Sequence, residues 1–185
     1  MDIKGLIEAV TKETEATLVG VSEESVGRFV QGLDRAERIF CAAHGRSGYV
    51  LRCFCMRLMH LGYGAFFVGE TITPGITKED VLVVCSGSGE TIWTYQWVRL
   101  ASGNGASTYG VVGVENSPIG RAVDYRLFLP GGSKRDYPKN FKSIQPPGSL
   151  FEQAAFVLLE TIVLGLYQRQ GSDPRPLLDQ HANLE

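Results

Sequence analysis

One stretch constrains the fold of this chain more than any other. Asp80-Val81-Leu82-Val83-Val84-Cys85 runs directly into Ser86-Gly87-Ser88-Gly89-Glu90-Thr91. A short, dense apolar run bounded by turn residues suits a parallel strand covered on both faces. The glycine- and serine-rich segment after it is placed to open a helix, which the pattern carries to about Ser102. A strand that feeds a helix through such a turn is half of a βαβ unit, so a layered α/β fold is expected.

The rest of the chain repeats the unit. Arg38-Ile39-Phe40-Cys41-Ala42-Ala43 reads as a first strand and ends in His44-Gly45-Arg46-Ser47-Gly48. A helix is expected over Tyr49–Leu61, stopped by Gly62 and Gly64. Ala65–Val68 is a second strand, Thr108–Val114 a fourth and Tyr125–Leu129 a fifth, with a short helical piece at Ile119–Val123. Residues 130–148 read as a long loop. A last helix is expected from Ser149 to about Gln170 and an extended tail from Gly171. Before the first strand, Ile3, Leu6, Ile7, Val10 and Leu18 recur at helical spacing. Ser22 with Glu23 and Glu24 caps a second helix carrying Val26, Phe29, Val30 and Leu33. The expectation is one domain over 1–185: a three-layer α/β/α sandwich with a five-stranded parallel sheet, and a helical extension at 1–35 ahead of it.

Composition excludes several functions. A formal net charge of −2 offers no broad basic field for nucleic acid or anionic lipid. The apolar stretches Phe156–Leu159 and Thr161–Leu166 are far shorter than the roughly 20 residues of a membrane span. The first residues (Met1, Asp2, Ile3, Lys4) lack a basic segment followed by an apolar one, so no signal peptide is expected and a cytoplasmic location follows. Cys41, Cys53, Cys55 and Cys85 form no Cys-x-x-Cys pair and read as buried thiols. His44, His60 and His181 are too scattered for a sequence-local zinc site, so no metal and no cofactor are expected.

The segment 86–91 has a definite chemistry. The first N–H groups of a helix lack internal partners, and the macrodipole places partial positive charge there. Gly87 and Gly89 let the backbone approach an anion, and Ser86, Ser88 and Thr91 add hydroxyls, so a phosphate can be held without a lysine. No Gly-Lys-Ser/Thr follows, and the third glycine of a dinucleotide loop is absent, so neither of those sites is present. An ordinary capped turn is the plain alternative. Gly45-Arg46-Ser47-Gly48 repeats the context after the first strand: Ser47 can meet phosphate or cap a helix, and Arg46 can bind substrate or face solvent. Glu152, one turn into the last helix, suits either reversible proton transfer or stabilisation by the helix dipole. His60, ending its helix, can act as an acid–base or interact with the dipole. Tyr49, Trp93 and Trp97 read as packing residues, the tryptophans because of their i, i+4 spacing.

Gly45-Arg46-Ser47-Gly48, with Met56-Arg57-Leu58-Met59-His60-Leu61-Gly62 behind it, resembles the first half of the sugar isomerase (SIS) domain, and Ser86–Thr91 resembles its phosphate loop. Val68–Pro74, Ser133-Lys134-Arg135 and Ser143–Gln153 are further similar to the 6-phospho-3-hexuloisomerase branch of that family. The resemblance spans roughly residues 5–170 and implies a flavodoxin-like sheet and a homotetramer. It also implies conversion of 3-hexulose 6-phosphate to fructose 6-phosphate through a cis-enediol, after formaldehyde fixation in the ribulose monophosphate route. It favours Glu152 as the base, with His60 as a second acid–base in its own or a neighbouring subunit. Arg46, Ser47, Ser86, Gly87, Ser88, Gly89 and Thr91 would bind the substrate, a small sugar phosphate. Glu70, Lys134 and Arg135 can bind hydroxyls or shield charge, solvation being the plainer reading of the last two. Other isomerases of the family, for phosphoheptose or arabinose 5-phosphate, share the phosphate loop, as do sugar-phosphate-binding regulators. The segment Ile144–Gln153 separates the first group, and a helix-turn-helix module, for which 1–35 is too short and acidic, separates the second.

Overall fold

The computed structural model describes residues 1–131 and 143–184. Two helices, α1 (Ile3–Val19) and α2 (Glu23–Arg35), precede β1 (Ile39–Ala42). Then follow α3 (Gly45–His60), β2 (Ala65–Phe67), β3 (Val81–Ser86), α4 (Ile92–Gly103), β4 (Ser107–Val112), α5 (Pro118–Ala122), β5 (Tyr125–Phe128), α6 (Ser149–Arg169) and α7 (Pro174–Asp179). The five strands are all parallel, in the order β2-β1-β3-β4-β5. The expected sandwich is therefore present, with its helical N-terminal extension.

Alternation along each strand divides the core into two layers. Ile39, Cys41, Ala43, Val81, Val83 and Cys85 join the α2, α3 and α6 side, where Phe29, Phe54, Phe151 and Leu158 pack. Phe40, Ala42, Leu82 and Val84 face Val98, Ala101 and Ile119 of α4 and α5. Each fully buried Leu or Phe side chain contributes about 1.5–3 kcal/mol. Ser86, Val112 and Phe128 are in register, so β3, β4 and β5 end level at one edge, with β1 ending two residues short at Ala42, opposite Val84. The crossover from β1 leaves toward β2, and that from β3 leaves toward β4. Their adjacent carboxyl ends therefore diverge into a crevice, where ligands of such sheets bind.

Three expectations are corrected. Helix α3 starts at Gly45, not Tyr49, so Arg46 and Ser47 belong to its first turn. Gly48 makes this possible: a Cβ there would stand 2.9 Å from the Ala43 carbonyl oxygen. The tail is not extended. Asp173 caps α7 through the Arg175 N–H, Pro174 supplies a φ suited to a helix start, and Leu177 packs on the core. Helix α6, at 21 residues, is long and apolar enough to cross a membrane by length and composition. Its buried residues, Phe151, Ala154, Leu158, Ile162 and Leu166 among them, make it the central helix of one core layer.

The opposite, amino-terminal edge is held by a buried ion pair. Asp80, 1% exposed, accepts from Arg38 Nε (3.0 Å) and Nη2 (2.8 Å), and from the N–H (2.7 Å) and hydroxyl (2.9 Å) of Thr77. Burial alone pushes this carboxyl up; the hydrogen bonds from Arg38 and Thr77 and the Arg38 charge outweigh it and hold it below its ordinary value of 3.8. Asp80→Asn should therefore lower the unfolding free energy by about 3 kcal/mol. A depressed carboxylate contributes fully above its unfolded value and loses that contribution as pH falls through the lower, folded one. Urea titrations should show wild type losing stability below pH 3.8 more steeply than the variant.

Candidate functional site

The crevice edge is built first from the loop between β3 and α4. Ser86 ends the strand with its hydroxyl turned inward, accepting the Gly89 N–H at 3.0 Å and sharing a 3.1 Å bond with the Thr91 hydroxyl. Gly89 sits at φ +65, where a side chain would be strained, and a Cβ there would lie 1.9 Å from Ser117 Oγ. Its carbonyl accepts the Ile119 N–H at 2.9 Å, so the start of α5 grips the loop from below. Ser88 Oγ accepts the Glu90 N–H at 3.2 Å, which leaves its own hydrogen to donate. Thr91 is the N-cap of α4 but makes no capping bond with its side chain. The loop is thus preformed, with helix amides and the half-buried Ser88 and Thr91 at its rim, an arrangement suited to an anion.

The first turn of α3 forms the second wall. The Ser47 hydroxyl lies beside the Cys85 thiol, whose pKa is pushed up to about 12, mainly by burial, with Ser47 opposing and the Glu152 charge adding. His44, the N-cap residue of α3, stacks on Trp97 of α4 with ring centroids 4.6 Å apart and planes 13° from parallel.

The start of α6 closes the crevice. Phe151, 1% exposed, lies where three glycines leave room: a Cβ on Gly87 would meet its ring at 3.0 Å, on Gly113 at 3.1 Å, and on Gly131 its Cα at 2.6 Å. This seats the first turn of α6 directly against the β3–α4 loop. The next residue, Glu152, forms an ion pair with Arg46, Oε2 to Nε at 2.5 Å. The Glu152 side chain is 13% exposed and that of Arg46 67%, so a nearly buried carboxylate is paired with a largely solvated arginine. A carboxylate paired with a largely solvated cation, beside a loop suited to an anion, has the chemistry for accepting and returning a proton.

Arg46, Ser47, Ser86, Gly87, Ser88, Gly89, Thr91 and Glu152 therefore gather at one edge. His60 does not join them. It ends α3, roughly 20 Å along the helix from Arg46 at 1.5 Å per residue. There it is 5% exposed and stacked on His181 at 4.0 Å. Burial, then the charges of His181 and Arg57, lowers its pKa. Glu70 pairs with Arg52. Lys134 and Arg135 lie outside the described residues. Tyr49 and Trp93, expected to pack, are exposed, as is Cys53, whereas Cys41, Cys55 and Cys85 are buried. Among the described residues no group of three or more His, Cys, Asp and Glu side chains gathers. Two residues escaped the sequence pattern. His44 stood in the loop motif with nothing local to single it out. Glu13, in α1, is tied to Ser143, Ile144 and Gln145 more than a hundred positions away.

Comparisons with known proteins bear on the fold and the family. The chain is 33% identical to the 3-hexulose-6-phosphate isomerase of Bacillus subtilis, over 95% of each chain. It is 35% identical to the enzyme of the same name from Mycobacterium gastri, over 100% of this chain and 92% of the other. A crystal structure from Methanococcus jannaschii, described as inferring a 3-hexulose-6-phosphate isomerase function, superposes with a TM-score of 0.83 at 28% identity, covering 98% of this chain and 99% of that one. The model of the SIS domain family matches residues 32–157, which contain β1 to β5, the 86–91 loop, Arg46 and Glu152. With that match over more than half its length, the chain belongs to the SIS domain family.

Proposed function

We propose that the protein is a phosphosugar isomerase that interconverts D-arabino-hex-3-ulose 6-phosphate and D-fructose 6-phosphate. The observation that carries this reading is the pairing of Glu152 with Arg46 beside the preformed 86–91 loop. Relatives named 3-hexulose-6-phosphate isomerase over nearly the whole chain support the choice of substrate.

In this reading the phosphate lies on the α4 amides, with Ser88 and Thr91 donating to it. The sugar extends toward Glu152. The carboxylate takes the proton from C2, next to the C3 carbonyl, the electron pair forms the C2–C3 double bond, and the C3 carbonyl oxygen takes up a proton from solvent to complete a cis-enediol. Glu152 then returns its proton to C3 as the carbonyl forms at C2 and O2 gives its proton back to solvent. Arg46 leaves the carboxylate to meet the substrate oxygens, where its charge offsets the developing negative charge. No redox partner is needed. Within one chain His60 takes no part; only a neighbouring copy can bring it to a Glu152. The same reading places the enzyme in the cytoplasm, after formaldehyde fixation in the ribulose monophosphate route.

A homotetramer belongs to this reading as well. An apolar groove of about 1000 Å³ runs between α1, α3 and α6 from Arg46 and Glu152 past Tyr49 and Phe156, and a sugar phosphate has no use for such a lining. A second copy would cover it. Light scattering at micromolar concentration should give four copies; a monomer contradicts this assembly.

A coupled assay should show hex-3-ulose 6-phosphate turned over in preference to heptose and arabinose phosphates. Preference for one of the latter moves the protein to another branch of the family. In deuterated water the wild type should incorporate deuterium at C3 of the fructose 6-phosphate formed. Glu152→Gln should abolish this exchange and reduce kcat by about 10²–10⁴-fold. A variant that keeps more than about a tenth of wild-type kcat assigns the base elsewhere.

Ser88→Ala and Thr91→Ala each remove a hydroxyl donor to a charged group, worth about 1.5–3 kcal/mol. Each should raise KM more than it lowers kcat. An unchanged KM in both removes the phosphate from this loop.

A further inference from the structure

Glu13 lies in α1, outside the segment that matches the family model. Its carboxylate is nevertheless tied to the approach to α6. Oε2 accepts from the Ser143 hydroxyl (2.7 Å) and from Gln145 Nε2 (3.0 Å), and Oε1 accepts from the Ile144 N–H (2.9 Å). Ser143 Oγ in turn accepts the Gln145 N–H at 3.0 Å, and Gln145 is only 6% exposed. From this knot the backbone passes straight into the helix: the Pro146 carbonyl accepts from Ser149 N–H (3.0 Å), and the Gly148 carbonyl from Glu152 N–H (3.1 Å). Gly148, the N-cap, is left-handed at φ 93 and has no side chain to fix the first turn. The Phe151 seat fixes this turn from the sheet side, and α1 supplies a polar anchor from the other.

We propose that Glu13 is a positioning residue: it fixes residues 143–145, hence the first turn of α6 and the direction of the Glu152 carboxylate, a role that rests on Glu152 being the base of the isomerase. A purely structural tie for α1 is the competing account, since α1 fully buries only Thr17. Burial by itself would raise the Glu13 pKa; the bonds from Ser143, Ile144 and Gln145 outweigh it and lower it, so the anchor is ionised and intact at neutral pH.

The two accounts differ in kinetics. Misplacing a catalytic group by about 1 Å costs up to ~10²-fold. Glu13→Ala should lower kcat by roughly 10- to 100-fold while KM stays within about threefold of wild type, because the 86–91 loop is untouched. Amide hydrogen exchange across residues 144–153 should accelerate. Ser143→Ala should lower kcat less, and the double variant should be no slower than Glu13→Ala alone, since both act through one contact. A kcat within about twofold of wild type in a folded Glu13→Ala enzyme overturns the proposal, as do additive losses in the double variant. If Glu13→Ala does not fold, Ser143→Ala removes two bonds of this knot and Gln145→Ala one; wild-type kcat in both is equally fatal. A wild-type enzyme that turns over no phosphosugar overturns the isomerase reading itself, a result distinct from any of these.

Discussion

The site rests on the seat of one aromatic ring. Phe151 occupies space that Gly87, Gly113 and Gly131 leave by having no side chains. Burying the ring contributes about 1.5–3 kcal/mol, and a methyl group forced into a packed seat costs about 1–3 kcal/mol. The contact is therefore both favourable and intolerant of change. Because Gly87 belongs to the β3–α4 loop and Gly113 follows β4, a single ring sets the distance from the sheet edge to α6. Glu152 is the next residue, so the placement of its carboxylate follows from a hydrophobic contact.

The two carboxylates at opposite edges of the sheet are handled differently, and the difference matches what each edge does. Asp80 receives four hydrogen bonds from Arg38 and Thr77, and nothing in its surroundings can be displaced without leaving a buried charge unpaired. Glu152 has an arginine that is mostly in water. A solvated partner gains little from the pairing and loses little on leaving it. The amino-terminal edge is thereby rigid and inert, and the carboxyl-terminal edge keeps a group whose partner can change.

Much of this was legible in the chain itself. Dense apolar runs ending in Gly/Ser segments specify parallel strands feeding helices, and Ser86–Thr91 stood out because local spacing carries its environment, whereas Glu152 was singled out by the resemblance to the sugar isomerase family and not by its own spacing. The exceptions have a common cause. Ser86 was read as a phosphate donor, yet its hydroxyl is engaged by Gly89 and Thr91, a closure that depends on the left-handed turn at Gly89. The start of α3 at Gly45 depends on how closely Gly48 approaches the Ala43 carbonyl. The separation of His60 from Glu152 follows only once α3 and α6 are seen to run side by side, with Arg46 beside Glu152 at one end and Leu61 bonded to Gln170 at the other. Glu13 was beyond reach altogether, because its partners lie 130 to 132 positions away.

That side-by-side arrangement has an electrostatic consequence. Right-handed crossovers in a parallel sheet start every connecting helix at the same edge, so α3 and α4 both begin around the crevice, and α6 joins them. Each helix start carries roughly half a positive charge. Three of them converge on a low-dielectric cleft in a molecule whose formal charge is −2. The crevice can thus attract anions against the sign of the molecule as a whole, concentrating field lines where a dianionic group would arrive. Since the charge resides in peptide dipoles rather than in lysines or histidines, no titration within the working range of the protein removes it. The helix-dipole part of the attraction therefore keeps its strength when side chains around the crevice gain or lose protons.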